Sequence, residues 1–112
     1  FLAGSFFAAV AILIWLLEFF GVSPTFGSLP PMIWHAHEMI FGFTTAIIAG
    51  FVLTAVQNWT GIPGVSGSRL KFIFAFWVLA RLFLLAPGNL SWISAILDLS
   101  FYPLLGFFLF PY

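Results

Sequence analysis

The sequence has no cysteine and very little charge. Without a single Cys among its 112 residues, disulfides, thiolate metal ligands and thiol catalysis are excluded, and nothing marks the redox compartment. Asp, Glu, Lys and Arg together make up 5% of the chain, against roughly 25% in a soluble domain, so there is too little polar surface to face water. The charged residues are Glu18, Glu38, Arg69, Lys71, Arg81 and Asp98, and the formal charge is zero. No electrostatic argument therefore points to nucleic acid or to an anionic surface as partner. Apolar residues fill the chain instead: 63% hydrophobic and 21% aromatic, with mean hydropathy +1.21. Such a composition belongs in a lipid bilayer and predicts an all-α, polytopic transmembrane helical bundle.

Gly, Pro, Ser and Asn punctuate four apolar stretches. They predict about four membrane-spanning helices, near residues 1–22, 31–57, 69–86 and 91–110, in one transmembrane domain covering 1–112. At ~1.5 Å per residue the first reaches ~33 Å, enough for a ~30 Å hydrocarbon core. Gly21-Val22-Ser23-Pro24 ends it, and Pro30-Pro31 suits the first turn of the next, where an N–H has no partner to lose. Asn58-Trp59-Thr60-Gly61 and Pro87-Gly88 are the later stops, and Pro103 marks a kink in the last helix. Lys and Arg are absent from the loops after the first and third stretches, whereas Arg69 and Lys71 follow the second, so that side is predicted cytoplasmic. Trp34, Trp59 and Trp92 fall at the predicted boundaries, where interfacial indoles collect. The chain begins at Phe1 without methionine or a basic leader and ends in an apolar run at Tyr112, so it reads as part of a longer protein whose remaining helices would be its partners. Gly42, Ala46 and Gly50 recur every four residues, a small-residue stripe that lets another helix approach closely.

Charge at membrane depth is costly, by at least ~2.5–3.5 kcal/mol at the bilayer centre, so its placement is informative. Arg81 and Asp98 are equally far from the middle of the short turn at 88–91. In an antiparallel hairpin they reach the same depth and can pair, either as a structural lock or beside a cofactor or ion path. The same hairpin logic brings Glu18, His35, His37 and Glu38 into that half of the membrane. Glu18, one turn from its helix end, reads as a carboxylate snorkelling to the interface.

The densest chemistry is Trp34-His35-Ala36-His37-Glu38-Met39. At ~100° per residue on a regular helix the two imidazoles point ~200° apart and cannot share one metal as an i, i+4 pair does. Either the segment is an irregular first turn or each ring serves a different site. On the regular helix His35, Glu38, Met39 and Gly42 share one face, and His37 shares another with Phe41, Thr44 and Ile48. Neutral imidazole suits haem iron or copper, a thioether such as Met39 favours soft copper, and Glu38 can orient a ring from behind. The plainer reading is a pair of interfacial histidines bonded to headgroups or backbone.

The run from Pro30 through Trp34-His35-Ala36-His37-Glu38-Met39 to Phe43, continued by Leu53-Thr54-Ala55-Val56-Gln57-Asn58-Trp59-Thr60-Gly61, resembles the NnrS family, haem- and copper-containing bacterial membrane proteins of the nitric oxide response. Gln57 stands where the family pattern has proline. The resemblance implies haem and copper as cofactors, His35 and His37 as candidate metal ligands, Arg81 as counter-charge for haem propionates or for Asp98, Glu38, Met39 and Asp98 in support, and a multi-pass protein of the bacterial inner membrane acting against nitrosative stress. It does not say which histidine takes which metal. Two other classes stay open: an ion or proton transporter segment lined by Glu38, Arg81 and Asp98, and a structural bundle without metal. Beyond possible ligands the sequence shows no catalytic constellation.

Overall fold

Proline at the first turn, where it removes no helical hydrogen bond, fixes where the longest helix begins. Pro31 opens α2 (Pro31–Thr60), and Gly61, with φ of 70°, closes it in the left-handed conformation that a side chain resists. The computed structural model describes residues 1–22, 27 and 29–112. The other helices are α1 (Leu2–Phe19), α3 (Gly67–Leu85) and α4 (Ser91–Leu109), and no strand occurs among the described residues. The predicted stop at Ser23-Pro24 lies outside the described residues. Helix α4 runs on through Pro103.

Helices α1, α2 and α4 are long and apolar enough to cross a membrane. Four such helices were predicted. The remaining one, α3, has the same 19 residues as α4 but carries Arg69, Lys71 and Arg81, which set it apart by charge rather than by length. Arg69 and Lys71 sit in its first two turns rather than in the preceding loop.

Two antiparallel pairs make the bundle, which measures 51 × 24 × 20 Å. In the first, α1 lies along the small-residue stripe of α2. Phe1 faces Gly50, Gly4 sits where a Cβ would be 3.3 Å from Ala46, Phe7 rests on Gly42, and Trp15 stacks on His35. Close approach of this kind maximises dispersion contact, the main attraction available between helices in lipid. In the second, Phe72 of α3 meets Phe108 of α4 at one end while Arg81 meets Asp98 nearer the other. Phe7 joins the pairs by setting its ring edge-on to Trp77, with centroids 5.3 Å apart. Trp34, expected at the lipid interface, is 2% exposed and packs with Ala11 and Leu84. Trp59 and Trp92 are exposed.

A feature without a sequence signal interrupts α2. Between Glu38 and Thr44 it is a π-helix, with a wider turn. The hydroxyls of Thr44 and Thr45 donate to the carbonyls of Met39 and Ile40, five residues back, at 2.7 and 3.0 Å. Two further carbonyls serve α3: Gly42 accepts from Trp77 Nε1 at 3.1 Å and Phe41 accepts from Arg81 Nη1 at 2.9 Å. Thr45 also lies 2.9 Å from the Tyr102 hydroxyl, tying α2 to α4. Thr45→Val keeps the shape and removes these bonds, so thermal unfolding in detergent should show a loss of about 1 kcal/mol. Tyr102→Phe should cost no more, and the double variant should be less destabilised than the two losses added. Fully additive losses would mean that the two hydroxyls do not act on each other.

Candidate functional site

The start of α2 lies level with the last turns of α3 and the first half of α4, and four ionisable side chains meet there. Arg81 is the hub. Its Nη2 pairs with Asp98 Oδ1, its Nη1 donates to the Phe41 carbonyl, and its Nε lies 3.1 Å from Glu38 Oε2. That last contact is an ion pair and not an aligned hydrogen bond, since neither atom gains a hydrogen-bond partner from it. The guanidinium also lies over the Trp77 ring, 5.7 Å from its centroid. Glu38 is 1% exposed, Arg81 5% and Asp98 4%. At such depth an isolated charge is strongly penalised, and only mutual pairing makes the set tolerable.

His37 closes the cluster. Its Nδ1 is 3.1 Å from Glu38 Oε1 and its Nε2 is 3.4 Å from Asp98 Oδ2, while its ring tilts against Phe41 at 4.8 Å. Both nitrogens thus face carboxylate oxygens. One guanidinium and one imidazole together face two carboxylates. Ser94, one turn before Asp98 on α4 and wholly buried, sets its hydroxyl 3.4 Å from Asp98 Oδ2. Beside the cluster an apolar cavity of about 340 Å³ is lined by Phe6, Phe7, Val10, Trp34, Trp77 and Leu82, with Glu38 and Arg81 in its wall. An apolar flank lowers the local dielectric and strengthens every ionic contact in the cluster.

His35 stands apart. Its ring stacks on Trp15 of α1, with centroids 4.5 Å apart and planes 23° from parallel. Its Nδ1 is buried without a hydrogen-bond partner. The two histidines therefore occupy different neighbourhoods, one of the two arrangements left open by their spacing. Glu38 bonds to the adjacent His37 and not to His35, while its Oε2 still faces Gly42, four residues on. Met39 packs against the Ala11, Trp34 and Leu84 cluster. Glu18, expected to snorkel, is buried at 7% exposure.

Among the described residues no three His, Asp or Glu side chains converge as a metal cage. What fits a haem iron or copper is a single imidazole donor, because an orphaned buried ring nitrogen such as that of His35 is uncommon in a finished structure. Sequence reasoning did not find Ser94, Trp77 or the carbonyls of Phe41 and Gly42. Ser94 had a usable signal in its i, i+4 spacing to Asp98, whereas the carbonyls had none. A family model described as NnrS protein matches residues 1–112. No curated protein and no solved structure matches the chain.

Proposed function

The chain belongs to the NnrS family, and from that premise we propose that it forms part of a haem- and copper-binding protein of the nitric oxide response, crossing the bacterial inner membrane several times. The observation that carries this reading is His35, whose ring stacks on Trp15 and whose buried Nδ1 has no hydrogen-bond partner. A haem or copper there would supply a redox-active centre able to bind a small diatomic. The chain's own part is to offer imidazole at the start of α2, from His35 or His37, and to hold that end of the helix rigid. Glu38, Arg81 and Asp98 do the holding, since the Arg81 guanidinium meets Asp98, the Glu38 carboxylate and the Phe41 carbonyl at once.

Full-length protein carrying both His35→Ala and His37→Ala tests the proposal. It should lose the haem absorption band or the bound copper, and cells that depend on it should tolerate nitric oxide less well. Unchanged haem and copper would remove the reading. The ionic cluster favours a second one, an ion or proton path through the bundle, because ionisable residues inside a membrane often mark such paths. Reconstituted vesicles distinguish the two: transport abolished by Asp98→Asn, with no stoichiometric metal in the wild type, supports the path.

A further inference from the structure

We infer that the two histidines divide the work: His35 offers the metal-binding lone pair, and His37 bridges the carboxylates of Glu38 and Asp98. The division rests on the haem and copper reading above and adds to it the identity of the ligand. A histidine that ligates a metal must have one ring nitrogen free for it. His37 has a carboxylate at both, at 3.1 and 3.4 Å, so neither nitrogen is turned toward open space. Turning it to a metal would strip a contact from Glu38 or Asp98, both of which are buried. Ligation through the His35 Nδ1 breaks no hydrogen bond among the described residues, since that nitrogen has no partner to lose. Its plane is already fixed by the stack on Trp15, which removes rotamer freedom that a ligand would otherwise lose on binding. Trp15 is thus a positioning residue, supplied by α1 to a donor on α2.

The shared chemistry is a metal centre that accepts one neutral imidazole. Haem iron and copper are its two sources, and the measurement separates them. Full-length wild type, His35→Gly and His37→Gln are purified in detergent. For each, iron and copper per chain, the haem Soret band and the thermal midpoint are recorded, and His35→Gly is repeated with added imidazole. The expected result is metal retention by His35→Gly weakened on the order of 100-fold, with the lost signal restored by free imidazole. A lost and rescued Soret band assigns haem, and lost and rescued copper with an intact Soret band assigns copper. His37→Gln should keep both metals while its midpoint falls. Full metal in His35→Gly overturns the division, as does equal loss in the two variants or loss confined to His37→Gln. Wild type holding neither haem nor copper overturns the functional reading itself, and the division with it.

Discussion

Arg81→Ala is expected to be the most damaging single substitution in the chain, destabilising it by about 3–5 kcal/mol, the usual consequence of removing one partner from a buried ionic set. Alanine leaves Glu38 and Asp98, both nearly inaccessible, facing each other's neighbourhood with only His37 between them. It also removes the bond that Arg81 gives to the Phe41 carbonyl. Unfolding followed by size-exclusion fluorescence in detergent should show the loss. Asp98→Ala alone should also destabilise, because it frees a buried guanidinium, but the double variant should fall short of the summed losses by about 3 kcal/mol or less, the range for residues in direct contact. Apolar replacement of similar size, Arg81→Met with Asp98→Leu, should recover part of the stability, since removing both charges removes their desolvation penalty as well. A wild-type midpoint for Arg81→Ala would mean that the cluster contributes nothing to holding α2, α3 and α4 together.

The second large effect is expected at Gly42. A Cβ there would run into the Phe7 ring and stand 2.8 Å from Glu38 Oε2, so neither α1 nor the ionic cluster has room for it. Gly42→Ala should cost about 1–3 kcal/mol, the range for overpacked sites, and Gly42→Val more. Phe7→Leu should relieve part of the damage in the Gly42→Ala background, although alone it loses the edge-on contact with Trp77. Gly106 is the internal control. It lies inside α4 with nothing within 4 Å of an added Cβ, so Gly106→Ala should be neutral or stabilising by up to about 1 kcal/mol through helix propensity. Equal effects at the two glycines would show that crowding against Phe7 is not what makes Gly42 necessary.

Much of this architecture was legible before any coordinates. Scarce charge and long apolar runs gave an all-helical membrane bundle, because lipid leaves a spanning chain few ways to satisfy its backbone. Arg81 and Asp98 could be placed level by counting from the turn between α3 and α4, since hairpin depth depends only on rise per residue. Gly42, Ala46 and Gly50 announced a close helix contact, and α1 makes it. The candidate site was legible in its membership and not in its wiring. The π-helical turn has no periodicity of its own, so which imidazole Glu38 serves stayed open in the sequence, and the structure makes it His37. Trp34 was misread for a related reason: position along the chain shows that an indole lies near a helix end, but not whether another helix covers it. Glu18 belongs with it, a carboxylate near a terminus that is nonetheless enclosed.

The attachment of α3 to α2 has a genetic consequence. Arg81 and Trp77 bind oxygens of the main chain at Phe41 and Gly42, and every amino acid carries such an oxygen. The side chain at 41 can therefore drift without loosening that grip, provided the helix stays wide. The pressure falls instead on the two donors and on the handful of residues that hold the turn open, so the anchor is encoded mainly on the helix opposite the one that supplies it.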